Sequence, residues 1–145
     1  MMNISIASDH AGYEIKEILI KWLNNAWHKV ENEGPFSNDS VDYPDYAHKT
    51  AKKVNEGKIE MGVVICGTGN GVSMTANKYN NVRAALCWNS EIAKLARQHN
   101  NANILAVPAR FITAEEAINI LDTFIKTPFE GGRHKIRIDK IKNLE

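Results

Sequence analysis

Cys66 ends an unbroken apolar run, Met61-Gly62-Val63-Val64-Ile65, and is followed by Gly67-Thr68-Gly69-Asn70-Gly71. An apolar run of this length without alternation reads as a strand buried on both faces. Glycine at alternate positions after it lets the backbone turn tightly and approach a ligand without Cβ clashes. A helix starting from Val72 then aims its open N–H groups and positive dipole end at the loop, which suits an anion. The same field lowers the pKa of a thiol placed there, so Cys66 is expected as a thiolate near neutrality. Elsewhere a free cysteine reads as a packed side chain, and Cys87, inside another apolar run, keeps that reading.

Other groups able to do chemistry are fewer. Asp9 and His10 follow the apolar run Ile4-Ser5-Ile6-Ala7, where a strand end presents polar side chains. His99 lies in Arg97-Gln98-His99-Asn100-Asn101-Ala102-Asn103, a polar turn after a helix. It reads equally as an acid–base group and as a cation placed against the helix dipole. Arg133 and Arg137 are spaced to share one face, either as a bidentate phosphate clamp or as a solvated basic surface. His28, His48 and His134 have no comparable context. The loop is GxGxG, not the dinucleotide GxGxxG, and it lacks the lysine of a phosphate-binding Walker loop, so a nucleotide site is unsupported.

These groups need a scaffold, and the chain alternates strand and helix patterns. Short strands are expected at Asn3–Ala7, His28–Glu31, Met61–Ile65, Arg83–Trp88 and Ile104–Val107. The first helix places Ile15, Ile18, Leu19, Trp22 and Leu23 on one apolar face and Lys16, Glu17 and Lys21 elsewhere. A second opens at Asp42-Tyr43-Pro44, with proline in the first turn, and stops near Glu56 before Gly57. Asn89 or Ser90 caps a helix carrying Ile92, Leu95 and Ala96. Thr113-Ala114-Glu115-Glu116 is a capping box for a helix with Ala117, Ile118, Leu121 and Ile125 inside. The basic last segment carries Ile141 and Leu144 at helical spacing. Right-handed crossovers then give a Rossmann-like three-layer α/β/α sandwich with a five-stranded parallel sheet. Ligands bind beyond the carboxyl ends of such strands, which gathers Asp9, His10, the Cys66–Gly71 loop, Trp88, Asn89 and Pro108-Ala109-Arg110 on one edge.

With 145 residues and 43% hydrophobic content, the chain suits one domain over 1–145. A net charge of +1 gives no bulk reason to expect nucleic acid or membrane partners. Two cysteines make no disulfide framework, and without CxxC or Cys/His pairs at ligand spacing the usual zinc patterns are missing. No secretory leader pattern precedes the first strand, so a cytoplasmic location is expected.

Taken together, Ser8-Asp9-His10-Ala11-Gly12, Val41-Asp42-Tyr43-Pro44-Asp45-Tyr46-Ala47, Cys66–Gly71, Arg97–Asn103 and Gly131-Gly132-Arg133-His134-Lys135-Ile136-Arg137 closely resemble the type B ribose-5-phosphate isomerases. The resemblance covers almost the whole chain. It implies interconversion of D-ribose 5-phosphate and D-ribulose 5-phosphate in the non-oxidative pentose phosphate pathway, with no metal or organic cofactor, by a homodimer or homotetramer. By position, Cys66 resembles the base that moves a proton between C1 and C2 through a cis-enediolate, and His99 the acid that opens the ring. Gly67, Thr68, Gly69, Asn70 and Gly71 resemble the enediolate anion hole, with the Thr68 hydroxyl passing protons between O1 and O2. His10, Arg110, Arg133 and Arg137 match phosphate contacts, and Asp9 and Asn100 match positions holding sugar oxygens. Family sites form between subunits, which implies that the segment from about 133 serves a partner's pocket. Asn70, Pro108 and the Phe36–Ser40 loop depart from the pattern. The alternatives are a galactose-6-phosphate or allose-6-phosphate isomerase and, outside enzymes, a sugar-phosphate or nucleotide-binding module.

Overall fold

The computed structural model describes residues 1–142. Its elements are β1 (Asn3–Ser8), α1 (Tyr13–Asn25), β2 (Lys29–Gly34), α2 (Tyr43–Asn55), β3 (Met61–Cys66), α3 (Asn70–Ala76), β4 (Ala84–Leu86), α4 (Ser90–Asn100), β5 (Ile104–Pro108), α5 (Ala114–Lys126) and α6 (Arg133–Asp139). The five strands form one parallel sheet in the order β2-β1-β3-β5-β4. This is the three-layer arrangement expected from the alternation.

Strand periodicity divides the interior between the two faces. Val63 and Ile65 join Ile4, Ile6, Leu19, Leu23, Leu105, Leu121 and Phe124 on the side of α1 and α5. Val64 and Cys66 point the other way, toward Ala47, Ala51 and Val54 of α2 and Val72 and Ala76 of α3. Gly62 lets α2 sit close, since a Cβ there would lie 2.5 Å from Thr50 Cγ2. Thr50 and Ser5 share a buried hydroxyl pair at 2.9 Å.

Strand order also fixes where a ligand can enter. From β1 the chain steps outward to β2, then crosses to β3 on the opposite side and continues toward β4 and β5. The direction of winding reverses between β1 and β3, so their carboxyl ends open the crevice typical of such sheets. Asp9 follows one and Cys66 ends the other. The Asp9 N–H donates to the Ile65 carbonyl at 3.1 Å and ties the two ends together.

Several details differ from the sequence reading. Lys16 lies on the buried side of α1, fully covered, because its ammonium donates to Asn32 Oδ1 at 3.0 Å and Glu17 Oε1 at 2.8 Å. Ile18 is 39% exposed instead. In α5 the inner row is Ala117, Ile120, Leu121 and Phe124, with Ile118 and Ile125 only partly covered. β4 is shortened to three residues, leaving Cys87 and Trp88 beyond it. α3 begins at Asn70, earlier than Val72, because Gly69 supplies the left-handed turn before it. The polar stretch Arg97–Asn103 is not all turn: α4 runs to Asn100, and only Asn101, at φ 45°, breaks it. Ile141 is 62% exposed, outside α6; Leu144 lies outside the described residues.

Candidate active site

The loop after β3 is pinned from below. Ala109 N–H donates to the Cys66 carbonyl at 2.9 Å and Arg110 N–H to the Gly67 carbonyl at 3.0 Å, so two strand ends hold one turn. Gly69 has φ +75°, and a Cβ there would meet Leu86 Cδ1 at 2.4 Å and the Val107 carbonyl carbon at 3.2 Å. This conformation brings the Gly69 N–H to the Cys66 sulfur at 3.2 Å. Cys66 itself is 6% exposed, at the rim of the apolar cluster, while the adjacent Thr68 and Asn70 are exposed. The Thr68 hydroxyl accepts the Asn70 N–H at 3.2 Å.

Around this loop stand the other predicted groups of the same edge. Asp9 is buried, and its Oδ1 accepts the Gly12 N–H at 3.0 Å at the entry to α1. His10 Nδ1 accepts the Val41 N–H at 3.2 Å, which leaves Nε2 to carry the ring proton and donate outward. Arg110 is exposed, with its side chain 3.2 Å from where a Gly67 Cβ would be. Tyr43 closes on Gly71, whose missing Cβ would come 2.4 Å from the ring. The edge therefore assembles a thiol, backbone N–H donors, an imidazole donor, a carboxylate and a guanidinium. Trp88 lies 53% exposed beside it, whereas Asn89 spends its side chain capping α4 through the Ile92 N–H at 2.9 Å.

The remaining predicted residues are elsewhere. α4 runs antiparallel to the strands, so its end, His99 and Asn100, lies where β5 begins. The register from Gly62↔Ile104 to Cys66↔Pro108 separates the two sheet edges, by at least about 13 Å at 3.3 Å per residue. α6 sits at this starting edge too: Glu130 N–H donates to the Gln98 carbonyl at 3.1 Å, and the His134 ring stacks on His99 at 4.4 Å. Arg133 and Arg137 are exposed there. A cavity of about 740 Å³ opens on this edge between Arg83, Asn100, Asn101 and Asp139, not over Cys66. The predicted residues thus fall into two groups on opposite edges: Asp9, His10, Cys66–Gly71 and Arg110 on one, His99, Asn100, Arg133 and Arg137 on the other.

Electrostatics distinguish structural from available groups. Burial, with Arg83 nearby, lowers the pKa of Arg97, which donates to the Thr127 carbonyl at 3.1 Å and Asn101 Oδ1 at 3.0 Å. Arg83 donates to the Asn101 carbonyl at 2.9 Å. These two arginines lock the turn that presents His99. Arg110, Arg133 and Arg137, by contrast, have no carboxylate within 4.0 Å among the described residues, so their charge is open to an anion. The second thiol is inert: Cys87 is fully buried, and desolvation pushes it up to about 12.

Sequence reasoning missed Glu130, whose Oε1 faces His99 Nε2 at 3.8 Å and His134 Nε2 at 3.5 Å. The signal available was the four-residue spacing of Glu130 and His134. It missed Val41 and Tyr43 as walls of the Cys66 edge because these contacts come from the end of the loop after β2 and the first residue of α2, distant in sequence from the groups they touch.

A family model described as Ribose/Galactose Isomerase matches residues 4–141. A probable ribose-5-phosphate isomerase B of Mycoplasma genitalium is 48% identical over 145 residues, covering 99% of this chain and 95% of that protein. The crystal structure of a ribose 5-phosphate isomerase from Thermotoga maritima superposes with a TM-score of 0.95 at 50% identity, over 97% of each chain. The Mycoplasma genitalium ribose-5-phosphate isomerase B, solved with bound ribulose-5-phosphate, gives 0.92 at 48% identity, over 96% of this chain and 93% of that one. No helix among the described residues is long and apolar enough to cross a membrane.

Proposed function

The chain belongs to the ribose/galactose isomerase family, and from that premise we propose that it interconverts D-ribose 5-phosphate and D-ribulose 5-phosphate. It does so in the cytoplasm, in the non-oxidative pentose phosphate pathway, as a homodimer or a pair of dimers. The observation that carries this reading is the division of the chemistry between two edges of one sheet. The Cys66 edge has a thiol and anion-stabilising N–H groups but one exposed guanidinium, Arg110; the His99 edge has an imidazole acid and the exposed guanidiniums Arg133 and Arg137 but no thiol. Two copies packed edge to edge complete each other, and the segment from Arg133 onward serves the partner's pocket.

In such a composite site the phosphate of the sugar is held by His10 Nε2–H and by Arg110, Arg133 and Arg137, whose charges have no carboxylate partner among the described residues. Charge-assisted bonds of this kind fix the far end of the substrate and so orient the reacting carbons. Asp9 and Asn100 hold sugar oxygens. His99 donates a proton to the ring oxygen as its bond to C1 breaks and the O1 hydroxyl proton is released to water, which opens the furanose to the aldehyde. The Cys66 thiolate then takes the C2 proton of the open aldose, leaving a cis-enediolate, and returns it to C1, while the Thr68 hydroxyl passes the proton between O1 and O2. Backbone N–H groups of Gly67–Gly71 meet the developing oxyanion; one well-aimed donor lowers such a barrier by about 3 kcal/mol.

The test is an assay of the purified protein against ribose 5-phosphate and allose 6-phosphate, with Cys66→Ser alongside. The expected result is turnover of the five-carbon substrate, reduced by orders of magnitude in Cys66→Ser with phosphate affinity retained. No turnover of either substrate overturns the activity, and a Cys66→Ser protein with full activity overturns the base.

A further inference from the structure

Glu130, His134 and His99 converge on one point. The Glu130 Oε1 is 3.5 Å from His134 Nε2 and 3.8 Å from His99 Nε2, and all three ligand atoms lie within 4.8 Å of one another. The first two distances exceed those of N–H···O hydrogen bonds, so the atoms are not satisfying each other. They are, however, close to the spacing a small divalent ion imposes: bonds of 2.0–2.1 Å in a tetrahedron set ligand atoms about 3.4 Å apart. Both Nε2 atoms approach the same Glu130 oxygen. The two imidazoles stack at 4.4 Å between centroids and 12° between planes, so the rings must splay from this stack for their lone pairs to meet on one ion. Their backbones are tied together, since the Glu130 N–H donates to the Gln98 carbonyl at 3.1 Å. Burial is partial for both histidines, and Glu130 is exposed.

We propose that His99, Glu130 and His134 form a binding site for one divalent transition-metal ion, with zinc the best match. Two imidazoles and one carboxylate suit zinc and its first-row neighbours, and select against magnesium and calcium, which take oxygen ligands. Three protein ligands leave a fourth place for water. The ion ties up the His99 Nε2, so its effect on turnover is inhibitory. The binding assignment stands on the three side chains alone, whereas the inhibition rests on the ring-opening role given to His99 above, and the two are read separately.

Binding is measured by calorimetric titration of the full chain with zinc chloride after chelator treatment, and by the absorption spectrum with Co²⁺. The expected result is one ion per chain, a cobalt d–d band without sulfur charge transfer, and no uptake of Mg²⁺. Glu130→Gln, at an exposed position, and His134→Asn, at a largely covered one, should each weaken zinc by more than the roughly ten- to hundredfold that loss of an outer-shell partner costs. Cys66→Ser should bind as the parent does. Unchanged affinity in both Glu130→Gln and His134→Asn, or loss of zinc in Cys66→Ser, overturns the assignment, as does absence of saturable binding. For inhibition, zinc should lower ribose 5-phosphate turnover reversibly by EDTA, and His134→Asn should need at least about tenfold more zinc for the same fractional loss. Binding without inhibition overturns the capping of His99 while leaving the site. A chain that turns over no sugar phosphate but still binds zinc through these residues separates failure of the isomerase reading from failure of this one.

Discussion

Two glycines offer a matched measurement of what the loop after β3 costs to hold. Gly69 and Gly57 have φ of +75° and +73°, yet a Cβ at Gly57 meets nothing within 4 Å while one at Gly69 lies 2.4 Å from Leu86 Cδ1 and 3.2 Å from the Val107 carbonyl carbon. Alanine in the left-handed region costs about 1–2 kcal/mol at either position, partly offset by roughly 0.4–1 kcal/mol from the stiffer unfolded chain. At Gly69 the methyl must also displace a side chain that has little room against an immobile backbone, an overpacking cost of about 1–3 kcal/mol. Gly57→Ala should therefore lose about 0–1.5 kcal/mol, and Gly69→Ala about 1–3 kcal/mol more. Chemical denaturation with a common slope reads the difference. Gly69→Ala should in addition lose turnover out of proportion to its stability, because relieving the clash moves the N–H that bonds the Cys66 sulfur at 3.2 Å. Equal stability of the two variants would refute the packing argument, and normal turnover in Gly69→Ala would refute the role of that N–H.

Two further outcomes follow from the charges. Burial raises the Cys87 thiol from 9.0 to about 12, so above pH 9 the unfolded chain releases a proton that the folded chain keeps. Stability should fall as pH rises through that window, by at most about 1.4 kcal/mol per pH unit; Cys87→Ala should flatten the slope, and identical alkaline profiles would contradict the assignment. Arg137→Ala should leave stability unchanged and raise KM for ribose 5-phosphate by about ten- to hundredfold, the worth of a charge-assisted hydrogen bond, with kcat little altered. An unchanged KM counts against the phosphate clamp.

The sheet was legible because each strand buried on both faces is a short apolar run, as with Met61–Cys66 and Ile104–Pro108, and because Thr113 and Glu116 spell out their own cap. What failed depended on contacts distant in sequence. Lys16 reads as polar and therefore exposed, but Asn32 on β2 receives its ammonium and makes burial tolerable. The asparagines after His99 read as a loop, yet only Asn101 takes the left-handed conformation, since Arg83 and Arg97 grip its oxygens. Within the site, types and spacings gave the Cys66 edge because strand ends of a parallel sheet lie together. They could not show that His99 sits at the opposite edge, because that follows from the antiparallel course of α4 rather than from any local pattern. Resemblance supplied the roles of His99, Arg133 and Arg137 without saying on which side of one chain they stand.

That separation is also what mixing two inactive variants would test. Cys66→Ser and His99→Asn chains, each nearly inactive alone, are unfolded and refolded together so that dimers assort at random. If every site takes Cys66 from one chain and His99 from the other, about half the dimers are mixed, each carries one intact site of two, and activity should return to about a quarter of the parent's. Activity that stays at the level of the separate variants, with mixed dimers demonstrated to form, would contradict the composite site.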